Sequence, residues 1–196
     1  MDKESLWDNK LNIHTCGRDD SHADAYRYPY EPTPYCVLQR LADSGYLRPE
    51  QLLIDYGCGK GRVGFFLRSE LGCRCVGIEY DERIFQQAVE NRQAFRQDGV
   101  DFICCRAEVY PPEEADCFYF FNPFSAEILQ AVLRQIKDSY YENPRPLLLF
   151  FYFPSDEYLG CLMTDPELCF VDEIDCSDLF PDNKQRERIL IFEYQA

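Results

Sequence analysis

Residues 52–61 read Leu-Leu-Ile-Asp-Tyr-Gly-Cys-Gly-Lys-Gly, which is the most informative stretch of the sequence. An apolar run that is typical of a buried strand ends at Asp55 and continues into a loop with glycine at every second position. Glycine has no Cβ, so such a loop lets the backbone approach a ligand closely. A helix that starts directly after the loop directs free N–H groups at whatever binds there. The stretch therefore predicts a strand, a ligand-binding loop and a helix.

A second acidic residue, Glu79, ends the next strand-like stretch at 73–79. One carboxylate can accept hydrogen bonds from both hydroxyl groups of a ribose. An acid at the tip of the second strand is also where open α/β sheets hold such a sugar. Asp55, the glycine loop and Glu79 together predict a cofactor of the adenosine type.

The spacing of the glycines separates the possible cofactors. A dinucleotide fingerprint, Gly-x-Gly-x-x-Gly, that started at Gly57 would need a glycine at position 62, where Arg62 stands. We therefore expect the spacing to count against a dinucleotide. An NAD-dependent oxidoreductase on a similar sheet remains an alternative that Arg62 disfavours.

The pattern Asp55-x-Gly57-x-Gly59-x-Gly61 resembles motif I of the class I S-adenosylmethionine-dependent methyltransferases. The resemblance implies that Asp55, the three glycines and Cys58 hold the methionine part of S-adenosyl-L-methionine. This ligand carries an ammonium and a sulfonium group. Carboxylates near the loop therefore suit it, whereas they would repel the phosphates of a dinucleotide.

The same resemblance assigns the residues that follow the second and third predicted strands. It implies that Glu79 holds the ribose, with Tyr80 beside it, and that Ala107 and Glu108 lie at the adenine. The family often has an acid directly before that alanine, but this chain has Arg106 there. The adenine contact is therefore expected from Glu108 or from the backbone at Ala107.

Strand-like and helix-like stretches alternate along the chain, which favours a parallel sheet covered by helices on both faces. The strands are predicted at 52–55, 73–79, 100–105, 116–122, 147–153, 168–176 and 188–194, the last two joined by a turn around 181–183. The helices are predicted at 34–43, 62–71, 81–96, 125–140 and 157–163, with caps at Thr33, Asp81 and Ser125. The predicted fold class is α/β, a Rossmann-like three-layer sandwich. Its mostly parallel seven-strand sheet would end in a C-terminal antiparallel hairpin, as in the same family.

The fourth predicted strand ends in Phe121-Asn122-Pro123-Phe124. This stretch resembles, in shortened form, the Asn-Pro-Pro-aromatic motif of amino-group methyltransferases. The resemblance implies that Asn122 is catalytic and lies beside the cofactor, where its oxygen accepts a hydrogen bond from the target nitrogen, while Pro123 and Phe124 contact the substrate. The alternative is an Asn-Pro turn that only ends a strand.

The N-terminal residues 1–32 show no helical periodicity and are predicted to form an arm or lid on the methyltransferase domain at 33–196. Tyr28 and Tyr30 lie in a tyrosine- and proline-rich stretch and are expected to contact the substrate. Lids of this kind exclude water from a site. The alternative is a proline-rich arm that lies on the surface.

Composition limits the classes of function. The 196 residues carry a formal net charge of −15 with 46% hydrophobic residues, as expected for one globular domain. Because no basic stripe is present, the sequence disfavours a nucleic acid as partner. An acidic chain suits a cationic substrate, although the charge can also serve solubility alone. No segment approaches the roughly 18 apolar residues of a membrane span, and no signal peptide is evident, so a cytoplasmic protein is expected.

The eleven cysteines do not predict a metal site. Several lie inside apolar strands, where a free cysteine behaves as a small hydrophobic residue. No Cys-x-x-Cys pair occurs, and the cluster of His14, Cys16 and His22 lacks a fourth ligand.

The sequence thus predicts an S-adenosylmethionine-dependent methyltransferase that methylates a nitrogen of a small amine or of a protein side chain. A protein that binds the cofactor without catalysis is the alternative of another class, because it would need the same glycines and the same ribose acid. The sequence does not reveal the oligomeric state.

Overall fold

The computed structural model describes residues 2–21, 24–112, 114–181 and 186–194. The strands are β1 Leu52–Tyr56, β2 Arg74–Glu79, β3 Val100–Cys104, β4 Cys117–Phe120, β5 Leu148–Tyr152, β6 Leu168–Asp175 and β7 Arg188–Tyr194. They form a seven-stranded sheet in the order β3-β2-β1-β4-β5-β7-β6. Strand β7 runs antiparallel to both of its neighbours, while the other pairs are parallel. The predicted fold class is therefore confirmed.

Helices cover both faces of this sheet. They are α1 Lys3–Leu11, α2 Tyr35–Asp43, α3 Arg62–Leu71, α4 Glu82–Ala94, α5 Ala126–Glu142 and α6 Asp156–Thr164. Apolar side chains of α1, α2 and α3 join one core cluster, and those of α5 and α6 join a second cluster on the opposite face. Burial of these side chains is the main driving force that holds the three layers together.

Side-chain caps begin four of the described helices, α1, α4, α5 and α6. The Asp81 carboxylate accepts hydrogen bonds from the backbone N–H groups of Arg83 and Ile84, and the Ser125 hydroxyl caps α5 in the same way. The predicted cap at Thr33 is wrong, because α2 begins after Pro34 without a side-chain cap. Thr33 instead shares a hydrogen bond with the Tyr119 hydroxyl at 3.1 Å.

Helix α1 lies in the part of the chain for which the sequence predicts no periodic element. Its carboxylate Asp8 is buried and accepts hydrogen bonds from Thr15 and from the Tyr35 hydroxyl. Leu11 belongs to the core cluster. Tertiary contacts therefore stabilise this helix where local periodicity is weak.

Strand β6 ends the sheet on one side. Its Phe170 and Val171 side chains are exposed, and Asp172 follows a register shift in the pairing with β7. The turn predicted at 181–183 falls mostly outside the described residues. Within the described residues, no helix has the length and the apolar character that crossing a membrane requires.

Strand β1 lies between β2 and β4, so the order of the sheet reverses beside it. In open α/β sheets, the crevice at such a switch point, outside the carboxyl ends of the strands, is the place where ligands bind.

Candidate functional site

A cavity of about 630 Å³ opens at this switch point. Cavities of this size are typical of small-molecule and cofactor sites. Most of the sequence-predicted site residues line it, namely Tyr28, Tyr30, Asp55, Gly57, Cys58, Glu79, Tyr80, Ala107, Glu108, Pro123 and Phe124. Gly59, Gly61 and Asn122 are not among its lining residues.

The glycine loop has a backbone that glycine accepts most readily. Gly57, Gly59 and Gly61 all have positive φ angles, of 73°, 56° and 89°. A Cβ on Gly57 would lie 2.2 Å from the Cβ of Pro123. A Cβ on Gly59 would lie 2.2 Å from the ring of Tyr30. The Tyr30 ring covers Gly59, which therefore does not line the cavity.

The Glu79 carboxylate is fixed by backbone groups of the loops around it. Its Oε2 accepts a hydrogen bond from the N–H of Gly59 at 2.9 Å, and its Oε1 accepts one from the N–H of Asp81 at 2.9 Å. Burial raises the pKa of Glu79 above its usual value. The acid predicted for the ribose thus lies at the cavity in one defined orientation.

Asp55 is a buried acid that lacks a partner for one of its oxygens. It is 3% exposed, it lines the cavity, and its Oδ2 has no hydrogen-bond partner among the described residues. Burial, together with the charge of Glu79, raises its pKa to about 8. Ionising such a group is costly unless a cation pairs with it. The ammonium group of S-adenosyl-L-methionine fits this requirement, so the chemistry of the site suits the cofactor.

The region after β3 is built around Glu108. Arg106 donates to the Glu108 carboxylate through Nε at 2.8 Å, so the arginine that replaces the expected acid turns toward its neighbour. Arg27 lies over the Tyr80 ring at 3.9 Å and within 3.9 Å of the same carboxylate. Ala107 lines the cavity beside this group. Its predicted contact with adenine stays a prediction.

The amide of Asn122 is engaged away from the cavity. Its Nδ2 donates to the carbonyl of Phe153 at 2.6 Å, and its Oδ1 accepts from the N–H of Ser155 at 3.1 Å. The backbone at Asn122 has a φ of 41°, which directs the chain into the Pro123–Phe124 turn. This placement does not support the catalytic role suggested by the sequence, which therefore stays a prediction.

The N-terminal segment lies against the loop after β4. Arg27 and Phe124 form an antiparallel bridge, and the N–H of Tyr28 donates to the carbonyl of Pro123 at 3.2 Å. Tyr30 donates its hydroxyl to the carbonyl of Thr15 at 2.5 Å. Residues 27–33 thereby line one side of the cavity. Whether this segment moves as a lid stays a prediction.

Arg62 is the residue whose role sequence reasoning missed. It is 3% exposed, it lines the cavity, and it donates through Nε to the Thr15 hydroxyl at 2.7 Å. From the sequence alone, Arg62 is considered only as the residue that stands where a dinucleotide fingerprint starting at Gly57 needs a glycine. Its one available signal was its position directly after the glycine loop.

The prediction that the glycine spacing counts against a dinucleotide is wrong. The stretch 59–64 does satisfy Gly-x-Gly-x-x-Gly, with Gly64 as its last member, so spacing alone does not disfavour a dinucleotide. The structure supplies the better argument. A Cβ on Gly61 would meet the Phe102 ring at 2.3 Å, so aromatic rings already cover Gly59 and Gly61. In their ionised forms, the nearby acids Asp55 and Glu79 would also repel a pyrophosphate.

The histidine and cysteine cluster has other contacts. The N–H of His14 donates to Asn91, and the sulfur of Cys16 accepts from Arg62 at 3.4 Å. His22 lies outside the described residues. Among the residues that the structure describes, no three histidine, cysteine or acidic side chains gather into a metal site.

Comparisons with known proteins agree with this geometry. Residues 48–142 match a family model described as a methyltransferase domain. The chain is similar to a TehB-like SAM-dependent methyltransferase from Corynebacterium glutamicum, with a TM-score of 0.60 and 16% identity over 98% of this chain and 95% of that one. An RNA methyltransferase from Salinibacter ruber, in complex with S-adenosyl-L-homocysteine, gives a TM-score of 0.54 and 20% identity over 84% of this chain and 94% of that one.

A third similar structure is the mitomycin 7-O-methyltransferase MmcR, with a TM-score of 0.60 and 14% identity over 82% of this chain. The chain spans 53% of that enzyme. At these identities the likeness to solved structures concerns the fold alone. No curated protein sequence matches the chain.

The matched range 48–142 contains the glycine loop, Glu79 and the loop after β4. The mostly parallel seven-stranded sheet, with its antiparallel β7, is the one expected from the resemblance in motif I. The match of residues 48–142 to a methyltransferase domain and the mostly parallel seven-stranded sheet with its antiparallel β7 support the class I S-adenosylmethionine-dependent methyltransferase domain that the sequence predicts.

Proposed function

We propose that this domain methylates a nitrogen atom of a small amine or of a protein side chain, in the cytoplasm. The observation that carries the proposal is the charge of the cavity wall. Seven acidic residues line it, namely Asp19, Glu31, Asp55, Glu79, Asp81, Glu82 and Glu108, against the three arginines Arg27, Arg62 and Arg83.

Each of these arginines already has an acidic neighbour. Arg27 lies near Glu108, Arg62 pairs with Glu4, and Arg83 pairs with Asp19 at 2.7 Å. The cavity therefore attracts cations, and an amine acceptor would be drawn to it, whereas the phosphates of a nucleic acid would be repelled.

The cofactor, when bound, supplies a methyl group on a positively charged sulfur. The chain's contribution is to bind and orient both reactants. In this proposal Asp55 pairs with the ammonium group, Glu79 accepts from the ribose, and Gly57 and Cys58 contact the methionine part, with Gly59 and Gly61 shaping the loop. Tyr80, Ala107 and Glu108 surround the adenine. Transfer by direct displacement depends mainly on alignment and on exclusion of water.

The acceptor is proposed to lie between the N-terminal segment and the loop after β4. Tyr28, Pro123 and Phe124 line this side of the cavity, and aromatic faces attract alkylammonium groups. An ammonium has no lone pair, so the acceptor nitrogen must release a proton to solvent before it attacks the methyl group. Asn122 is proposed to act by positioning Pro123 and Phe124 through its bonds to the loop after β5.

A transfer assay with S-adenosyl-L-methionine labelled in the methyl group tests this proposal. The panel contains alkylamines, polyamines, a lysine-rich protein, phenols, carboxylic acids and RNA. We expect label in the amines or in the basic protein. Label only in RNA, in phenols or in carboxylic acids would refute the proposed acceptor class.

Calorimetric titration, together with the transfer assay, distinguishes a methyltransferase from a protein that only binds the cofactor and from an NAD-dependent oxidoreductase. Binding of S-adenosyl-L-methionine and S-adenosyl-L-homocysteine without NAD is expected. Cofactor binding without transfer to any acceptor class would favour a protein that binds the cofactor and does not catalyse. Binding of NAD alone would favour an oxidoreductase.

A further inference from the structure

One buried side chain fastens the N-terminal segment to the glycine loop. Arg62 is the first residue of α3, directly after Gly61. It donates to the Thr15 hydroxyl at 2.7 Å and to the carbonyl of Thr33 at 3.1 Å, and it pairs with Glu4. A guanidinium that is 3% exposed needs such partners, because an unpaired buried charge is costly.

The partners of Arg62 flank Tyr30 on both sides in the sequence. The Tyr30 hydroxyl donates to the carbonyl of Thr15, the residue whose hydroxyl Arg62 holds. Thr33 follows Tyr30 by three residues, and its own hydroxyl bonds to Tyr119. Tyr30 is thus held between two points that Arg62 fixes.

The ring of Tyr30 lies directly on the glycine loop. A Cβ added to Gly59 would come within 2.2 Å of this ring, so the ring occupies the space that the glycine leaves open. Tyr30 also lines the cavity, as does Asp55. The Tyr30 side chain therefore contacts the glycine loop and also lines the cavity.

We propose that Arg62 is a positioning residue that holds Tyr30 against Gly59 and thereby closes the methionine end of the cofactor site. The inference rests on the assignment of this cavity to S-adenosyl-L-methionine and does not depend on the acceptor. It implies that Arg62 and Tyr30 affect ligands that carry the amino-acid part of the cofactor. Ligands that lack this part should be indifferent to both residues.

Calorimetry with two ligands tests the proposal. S-adenosyl-L-homocysteine carries the amino-acid part, whereas 5′-methylthioadenosine lacks it. We expect Tyr30→Ala and Arg62→Met each to weaken S-adenosyl-L-homocysteine binding about tenfold, with 5′-methylthioadenosine unchanged. The double variant should be no weaker than either single variant, because both changes remove the same contact. Arg62→Lys should restore part of the affinity.

Arg40→Met is the matched control. Arg40 also pairs with a carboxylate, Asp178, and donates to the carbonyl of Asp175, but it does not line the cavity. Its loss should leave the affinity for both ligands unchanged. Should Arg62→Met fail to fold by circular dichroism, Tyr30→Ala and Tyr30→Phe decide the question, because neither disturbs the guanidinium.

Two results would overturn the proposal. One is unchanged S-adenosyl-L-homocysteine affinity in folded Tyr30→Ala. The other is an equal loss for both ligands, which would show a general structural effect. No acceptor is present in these titrations, so a failure to methylate amines would leave the inference intact. If the wild-type protein bound neither ligand, the cofactor assignment would fall and this inference with it.

Discussion

The cavity has two walls of different construction. The sheet wall consists of the ends of β1 and β2 with the glycine loop, where the N–H groups of Gly57 and Cys58 both donate to the carbonyl of Ile78. The segment wall consists of residues 27–33, which bridge to Phe124 in the loop after β4, bond through Thr33 to Tyr119 on β4 and contact Gly59 through Tyr30. Adjacent strands fix the first wall, whereas side chains distant in sequence fix the second. We infer that the sheet wall would determine which cofactor binds, whereas the segment wall would determine how tightly the site encloses it.

The largest effect is expected from Asp55→Asn in the sheet wall. Loss of the carboxylate removes a charged partner for the ammonium group, which should weaken S-adenosyl-L-methionine binding about a hundredfold. Calorimetry measures the change. Asp98→Asn is the matched control, because Asp98 is fully exposed and does not line the cavity. Unchanged affinity in Asp55→Asn would remove Asp55 from the cofactor site.

The same substitution should stabilise the ligand-free protein at alkaline pH. Burial and the charge of Glu79 raise the pKa of Asp55 to about 8, against 3.8 for an unperturbed aspartate. The folded state therefore holds this proton more tightly, and its stability falls as pH rises from 3.8 to about 8. Asp55→Asn removes this loss. Thermal unfolding at pH 5 and pH 8 should show a Tm advantage of the variant that grows with pH, and an equal Tm at both values would contradict the raised pKa.

A smaller effect is expected where the two walls touch. Gly59→Ala should weaken S-adenosyl-L-homocysteine binding about tenfold, because its Cβ would collide with the Tyr30 ring. Gly45→Ala is the control, since Gly45 also has a positive φ but no described atom lies within 4 Å of its Cβ position. In a Tyr30→Ala background, Gly59→Ala should lower S-adenosyl-L-homocysteine affinity only by the amount that backbone strain at position 59 causes. A full second loss there would show that the contact between the walls is unimportant.

The smallest effect on cofactor affinity is expected for Asn122, which belongs to neither wall. Asn122→Gly keeps a backbone that accepts a φ of 41° but loses the bonds to Phe153 and Ser155. The free energy of unfolding should fall by about 1–2 kcal/mol, with cofactor affinity unchanged. Chemical denaturation and calorimetry measure the two quantities.

Asn122→Asp distinguishes a catalytic role of Asn122 from a positioning role. It keeps an oxygen that accepts from Ser155 but loses the donor to Phe153. Turnover abolished in the folded Asp variant, with cofactor affinity intact, would restore the catalytic role suggested by the sequence. Turnover that follows stability alone would confirm the positioning role.

Much of the sheet wall could be predicted from sequence, because its signals are local. The strand that ends in Asp55, the glycine loop and the cap at Asp81 each depend on residues that are neighbours in the chain. Glu79 could be predicted for the same reason, because it is the last residue of the second strand. The strand bounds differ from the predicted ones by only one or two residues at most ends.

The segment wall could not be predicted in this way, because its contacts join residues far apart in sequence. Helix α1 has weak periodicity and depends on Asp8 reaching Thr15 and Tyr35. Thr33 looks like a helix cap but bonds to Tyr119 on β4. The direction of the Asn122 amide depends on a backbone angle that its sequence neighbours do not fix.

The far edge of the sheet bears on how the protein behaves at high concentration. Strand β6 exposes Phe170 and Val171, and an edge with exposed apolar side chains is a template for aggregation. Asp172, Glu173 and Asp175 follow on the same strand, and the register shift interrupts its pairing surface. Like charges on a second copy would oppose edge-to-edge association while these carboxylates are ionised. The net charge of the whole chain also keeps copies apart, so self-association should increase as the pH falls toward the isoelectric point near 4.5, where this net charge vanishes.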